Sequence, residues 1–416
     1  MAFKFLHASD LHLDTPFSQL GNAPPHVVAA ARDASLDAFA ALVKVAIENQ
    51  VDFVVLAGDI YDGAERGLRA QLAFHRGLSQ LAEAGIATMV AAGNHDPLDE
   101  GWSAVHSWPD TVTFFPPHET ASVEIHRDGQ LLAVVHGISF HNRHVSENLA
   151  LRFERDARPG VHVAVLHANV GGNAAHNPYS PASLGDLLGQ GFDYWALGHI
   201  HARAVLHRHP WVVYSGNTQG RSLKPSERGP KGVLLVDVDD EGHIDEPLFV
   251  PVDAVRFVEQ TVDISLVEDL VSLQELLAEL ASDSLVAGSG RNIILRARLT
   301  GRGPLHQTLA RSGLVPELLN ELRDRESHQA PFVWWAALTV ETTASWELDE
   351  LVRRNDFVAD LARRAKQTEA AEVGLDGSLP SDLAQLLSDS YSDVLDEDSW
   401  KAATALAIDL VVEPGD

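Results

Sequence analysis

The chain has 416 residues, 45% of them hydrophobic, which is too long for one ordinary core and ample for two or three globular domains. It contains no cysteine, so disulfides, thiolate-bound metals and cysteine nucleophiles are excluded. A formal net charge of −28 argues against a generic polyanion binder. The chain opens directly into a strand-like run at Phe3, with no signal-peptide pattern and no apolar run long enough to span a bilayer. A cytoplasmic protein with no membrane partner is therefore expected.

Residues 3–9 read as a first strand, ending in Ala8-Ser9-Asp10-Leu11-His12. Residues 26–49 read as a helix, with Leu36, Phe39, Val43, Ala46 and Ile47 at i, i+3, i+4 spacing. The continuous apolar run 53–57 is expected of a short strand buried on both faces. Gly58 breaks it and delivers Asp59 at the carboxyl end, where open α/β sheets place their ligands. A helix over 68–84 and a strand over 86–91 follow, the strand leading into Gly93-Asn94-His95-Asp96-Pro97. This β–α–β–α–β order predicts an α/β layered domain.

From 111 to 136 the pattern changes to short alternating strands with a turn at Asp128-Gly129. Buried-type strands at 161–166 and 192–197 end at His167 and at Gly198-His199-Ile200-His201. Strands at 212–214 and 232–238 close the first domain, expected over 1–252. Residues 253–342 read as a small α+β domain: strand 256–264, helix 266–281, strand 292–299, helix 316–325 and strand 332–341. Residues 343–416 read as a helical extension, with Leu351, Val358 and Leu361 on one face, a linker at 374–380, and short amphipathic helices at 381–390 and 398–411. Twelve acidic residues and one lysine follow Lys366. Helices this short need something to pack on, either the chain's own α+β domain or a partner.

The strand ends carry the chemistry: Asp10/His12, Asp59, Asn94/His95, His167 and His199/His201. Each has an ordinary alternative alone, since Asp10-x-His12 and Asn94 suit turns and His167 could be a satisfied buried histidine. Recurrence at strand after strand favours a metal centre instead. Asp, His and Asn without thiolate suit Mn²⁺, Fe²⁺ or Zn²⁺. Two cations about 4 Å apart repel, and a shared carboxylate, for which Asp59 is placed, offsets this together with a hydroxide that is nucleophilic at neutral pH. Between His199 and Lys231 six basic residues (Arg203, Arg208, Arg221, Lys224, Arg228, Lys231) face Glu227 alone, which reads either as a basic face or as a solvated loop. His136, His141, His144, His207 and His209 read as surface or packing residues, and Trp334-Trp335 as core with at most one ring exposed.

Asp10-x-His12, Gly58-Asp59-x-x-Asp62, Gly93-Asn94-His95-Asp96, His167 and Gly198-His199-x-His201 resemble the ordered motifs of the calcineurin-like metallophosphoesterases. Within that superfamily the chain is similar to the SbcD-type DNA repair nucleases, closest to the YhaO-like exonuclease group. The stretch Gly216-Asn217-Thr-Gln-Gly-Arg221, followed by Glu227-x-Gly229-x-Lys231-Gly232, carries the narrower likeness. The resemblance implies a four-layer αββα sandwich followed by a capping domain. It implies one metal on Asp10, His12, Asp59 and His201, and a second on Asp59, Asn94, His167 and His199. It makes His95 the residue facing the scissile phosphate and Asp62 the carboxylate that orients it, although some nucleases of the group carry histidine at that position.

The implied activity is Mn²⁺-dependent cleavage of DNA phosphodiesters, exonucleolytic from 3′ ends, with an SbcC-type coiled-coil ATPase docked on the C-terminal helices. A homodimer is left open. Arg203, Arg221, Lys224, Arg228 and Lys231 are the expected DNA contacts. Two other readings compete: a phosphodiesterase or phosphatase for a small molecule or phosphoprotein, and a scaffold that kept the fold without catalysis. The full ligand set argues against the scaffold.

Overall fold

Alternation along the apolar strands sets the layers. The computed structural model describes residues 1–369 apart from 16, 18, 19, 21, 64–66, 100–102, 173–178, 345 and 347, and beyond 369 only Leu406 and Ile408. Among these residues the first strands are β1 (Phe3–Ala8), β2 (Phe53–Ala57), β3 (Ala87–Ala91), β4 (Val112–Phe114), β5 (Ala121–Arg127) and β6 (Gln130–Gly137). They are followed by β7 (Val161–His167), β8 (Tyr194–Gly198), β9 (Ala204–Arg208), β10 (Trp211–Tyr214), β11 (Gly232–Val238) and β12 (Leu248–Pro251). One sheet has the order β12-β11-β1-β2-β3-β4 and the other β5-β6-β7-β8-β10-β9.

In β2, Phe53, Val55 and Ala57 face the core between the sheets, where they meet Val163 and Val165 of β7 and Tyr194 and Ala196 of β8. Val54 and Leu56 point the other way, onto Phe39, Leu42 and Val43 of α1 (Pro25–Glu48) and Phe74 and Leu78 of α2 (Leu68–Glu83). A strand covered on both sides has no polar face to offer, which is why its sequence is uniformly apolar. The outer face of the second sheet, Ala164, Leu166, Trp195 and Leu197, is covered by a 3₁₀ turn at Leu149–Arg152, by α3 (Leu184–Leu188) and by Phe140, Phe153 and Phe192. The expected αββα order is present, with its last helical layer reduced to short turns and aromatic rings. β9, β12 and α3 lack clear periodicity and are additions to the expected elements. The turn at Asp128-Gly129 has φ of 54° and 78°, the paired left-handed geometry that a two-residue hairpin needs.

A third sheet, ordered β13 (Val255–Asp263), β14 (Asn292–Gly303), β15 (Val333–Ala344), accompanies α4 (Leu270–Gly288), α5 (His306–Leu309) and α6 (Leu314–Glu326). α4 runs seven residues past its expected end because Ala281 and Ser284 stay buried on its inner face. Trp334 and Trp335 are both core residues. Two compact units result: 1–259 with 281–296 and 323–336, and 260–280 with 297–322 and 337–416. In the second, α7 (Leu348–Leu351) and α8 (Phe357–Glu369) bring Leu351, Val358 and Ala362 together with Ile408. The expected linker 374–380 and helix 381–390, and all of 398–411 except Leu406 and Ile408, lie outside the described residues. No helix among the described residues is long and apolar enough to cross a membrane.

Candidate metal centre

β1, β2 and β3 run parallel, with Leu6 beside Val54 and Val54 beside Thr88, and so do β7 and β8, with His167 beside Gly198. Their carboxyl ends therefore open along one edge of each sheet. The loops beyond them are tied backbone to backbone: Asp10 N donates to Gly58 O and His12 N to Asp59 O, each at 3.0 Å. The Asp96 carboxylate accepts from Ile60 N at 2.8 Å and Gly93 N at 2.9 Å, joining the β2 and β3 loops. Asp10, His12, Asp59 and His199 lie at φ of 52°, 43°, 52° and 99°, a left-handed region that non-glycine residues enter only when their surroundings impose it. The neighbouring glycines leave room for the cluster. A Cβ on Gly58 (φ +93°) would lie 2.2 Å from His167 Nδ1, and one on Gly93 would lie 2.2 Å from Asp59 Oδ1.

Two groups of ligand atoms meet in the resulting cleft, Asp10/His12/His201 and Asp10/Asp59/His167, each within 4.8 Å. His12 Nε2 faces His201 Nε2 at 3.2 Å and Asp59 Oδ2 at 3.8 Å. Asn94 Oδ1 and Asp59 Oδ2 lie 3.0 and 3.4 Å from His167 Nε2, while His167 Nδ1 is turned to Ala57 O at 3.0 Å. Asp10 thus sits with both groups, as Asp59 was expected to. His199 stands beside the second group, next to His167. Its backbone N–H donates to Asp10, and its ring packs edge-on against His167 and Tyr179. Burial pushes the Asp59 carboxyl up, but His167, His12 and His95 outweigh it and hold it well below the usual carboxylate range. Burial, helped by the Arg221 charge, lowers His12 to about 4.

Asp62 Oδ1 is a meeting point at the mouth of this cleft. His95 Nδ1, Arg221 Nη1 and His12 Nδ1 each lie 3.1 Å from it. The hydrogen bond to Asp62 raises the His95 pKa against the opposing effect of burial.

The match to known families follows this geometry. Residues 3–203 match the calcineurin-like phosphoesterase domain, and residues 257–343 match the middle domain of metallophosphoesterase YhaO. The chain is 34% identical to the metallophosphoesterase YhaO of Bacillus subtilis over 348 residues, 83% of this chain and 84% of that one. It belongs to the calcineurin-like metallophosphoesterase family. It is also similar to the DNA double-strand break repair protein Mre11 of Thermoplasma acidophilum, at 26% identity over 50% of this chain and 57% of that one. The SbcD component of the nuclease SbcCD from Bacillus subtilis is 28% identical over 49% of this chain and 59% of its own length. The chain thus spans less than two thirds of these two relatives.

The metallophosphoesterase fold uses a dinuclear metal site, and the residues here fit one. Two almost wholly buried carboxylates, Asp10 and Asp59, are met by imidazoles and backbone N–H groups. Two imidazole nitrogens meet at 3.2 Å, and buried His12 Nδ1 lacks a well-directed hydrogen-bond partner despite Asp62 nearby. The donors are nitrogen and oxygen only, as hard or borderline cations prefer.

One participant was missed in the sequence. Glu227, read there as the lone acid of a basic stretch and as part of the family motif but given no role, is buried with Oε1 2.6 Å from His201 Nδ1. Burial raises its pKa, but His201, Arg221 and Lys231 outweigh that and bring it down to about 2. Its spacing in the Glu227-x-Gly229-x-Lys231-Gly232 motif was the available signal.

The five expected DNA contacts separate. Lys231 is buried, and its Nζ donates to His201 O at 2.8 Å and to Ser226 O. Arg228 is spent on Leu223 O and Glu259. Arg221 is turned onto Asp62, whereas Arg203, lying over the Phe249 ring, and Lys224 are exposed.

Proposed function

We propose that this metallophosphoesterase is a metal-dependent DNA nuclease, a 3′–5′ exonuclease of DNA repair that works with an SbcC-type coiled-coil ATPase. The observation that carries the reading is the pairing of a buried Asp/His cluster with Asp62, His95 and Arg221 at its mouth. The likeness to Mre11 and to the SbcD component of SbcCD supports DNA as the polymer. Asp10, His12, Asp59 and His201 would hold one divalent ion, and Asp59, Asn94, His167 and His199 a second, with Mn²⁺ the favoured metal. Two such ions supply a water-derived nucleophile and neutralise charge on the phosphate.

The chain's own residues do the rest. Asp62 takes His95 Nδ1, leaving the other ring nitrogen for substrate, and favours the protonated ring. His95 then donates a proton to the departing oxygen. Arg221 brings a positive charge beside it for a non-bridging phosphate oxygen. Asp96 and the paired loop backbones hold the ligands in place before substrate arrives.

A small phosphodiester or a phosphoprotein is the second reading. It is favoured by the net charge of −28 and by Lys231 and Arg228 being consumed internally, which thins the basic face. Cleavage with Mn²⁺ of end-labelled linear duplex DNA, alongside bis(p-nitrophenyl) phosphate, separates the two. The nuclease reading expects stepwise shortening from 3′ ends, and hydrolysis of the small ester alone would contradict it.

A further inference from the structure

The Glu227 carboxylate makes three polar contacts whose directions are not interchangeable. Its Oε2 accepts from the Arg221 backbone N–H at 3.0 Å and from Asn217 Nδ2 at 2.8 Å. The backbone donor cannot be reversed. The Asn217 amide is fixed too, because Nδ2 also donates to Gln219 O at 2.8 Å, and turning it over would set two oxygens against Oδ1. Neither oxygen of Glu227 can offer a proton while the carboxylate is ionised. Its Oε1, 2.6 Å from His201 Nδ1, therefore requires a hydrogen on that nitrogen.

We propose that Glu227 is a positioning residue that locks His201 in its Nδ1–H tautomer, so that the Nε2 lone pair is aimed at His12 Nε2 and Asp10. This rests on the reading of His201 as a metal ligand. An imidazole protonated at Nε2 has no lone pair there and cannot bind a cation through that atom. Nε2 of His201 is the nitrogen nearest the cluster, 3.2 Å from His12 Nε2 and 3.8 Å from Asp10 Oδ1. Lys231 completes the brace, since its Nζ donates both to His201 O and to Ser226 O, beside Glu227 in the chain. The backbone at His201 and the backbone next to Glu227 are thereby fastened to one ammonium group. Partners of this kind fix ring orientation, and their loss costs 10–100-fold in metal affinity.

Glu227→Gln tests the tautomer because a glutamine cannot satisfy all three donors. With its oxygen on Asn217 and the Arg221 N–H, its amide hydrogens face His201 Nδ1 and push the ring proton to Nε2. The full chain, ¹⁵N-labelled at histidine and metal-free, is read by long-range ¹H–¹⁵N correlation, with His201→Gln identifying the His201 signals. Wild type should show Nδ1–H at His201, and Glu227→Gln should show Nε2–H. Titration with Mn²⁺ by calorimetry should give two ions per wild-type chain and a 10–100-fold weaker site in the variant, the other unchanged.

An Nε2–H ring at His201 in wild type overturns the proposal, whether or not the variant folds. So does weaker metal binding with an unchanged tautomer, or unchanged binding in Glu227→Gln. Wild type that binds no Mn²⁺ fails the metal-ligand reading itself, whatever the tautomer.

Discussion

Asp62 Oδ1 lies 3.1 Å from His95 Nδ1, and the same oxygen is equally close to Arg221 Nη1. One carboxylate therefore orients the imidazole and restrains the guanidinium. Burial raises the Asp62 carboxyl, but His12, His95 and Arg221 together drive it far below the ordinary range. His95→Ala should keep both metals and slow turnover by about 10²–10⁴-fold, the scale of a positioned proton donor. Asp62→Asn should show a milder loss. It should also move the alkaline limb of the rate profile to lower pH, because the amide no longer favours the protonated His95 ring. Rate profiles and metal content of the two variants check both points, and loss of metal in His95→Ala would place that ring among the ligands.

The basic stretch divides by burial, and so should its variants. Lys224 is exposed, so Lys224→Glu should weaken DNA binding and flatten its dependence on salt while leaving hydrolysis of a small phosphodiester unchanged. Arg221 touches Asp62, so Arg221→Gln should slow both substrates. Binding isotherms at several salt concentrations, with parallel turnover of the small ester, distinguish the two.

Gly93 admits no side chain. An alanine Cβ there would stand 2.2 Å from Asp59 Oδ1 and 2.7 Å from Asp59 N. Gly93→Ala should displace the carboxylate, cost about 1–3 kcal/mol of stability and lower the bound metal. Melting curves with and without Mn²⁺ should show a modest loss in the metal-free chain and a larger one in its presence.

His7 gives the fold an acid-sensitive point away from the mouth of the cleft. It is fully buried, with Nδ1 3.0 Å from Tyr194 Oη and Nε2 3.2 Å from Leu197 O. Burial lowers its pKa to about 3, against smaller opposing effects of Leu197 O and Asp10. The unfolded chain takes up a proton near pH 6.5 and the folded chain does not, so His7 contributes stability above 6.5 that is lost as pH falls toward 3. The loss should reach about 2 kcal/mol by pH 5. Denaturant unfolding of wild type and His7→Gln at pH 7.5 and 5 should show the smaller drop in the variant.

The layered α/β order and the gathering of ligands at strand ends were legible from local facts, and the four-layer sandwich from the motif resemblance. Phe53–Ala57 is apolar throughout because both its faces are covered, and a buried strand must release its polar residues at its end, as Asp59 does. The short outer layer was not legible, since α3 has five residues and too little periodicity to register. Nor were the buried positions of Glu227 and Lys231, which sit among arginines in a stretch that reads either as a basic face or as a solvated loop. Their burial depends on His201, a partner 26 residues from Glu227 and 30 from Lys231 in the chain. His7 was passed over for the same reason: its partners, Tyr194 and Leu197, belong to the other sheet.

A two-ion centre that depends on the Asp59 carboxylate is to be read in the metal content of the chain. Asp59 lies against both His12 and His167, so on the proposed ligand set Asp59→Asn would remove a charge from both ions at once, whereas His12→Ala would touch one. Metal analysis of the purified chains after equilibration with Mn²⁺ should find two ions in wild type, about one in His12→Ala and fewer still in Asp59→Asn. Two ions retained by Asp59→Asn would mean that the centre does not depend on the Asp59 carboxylate.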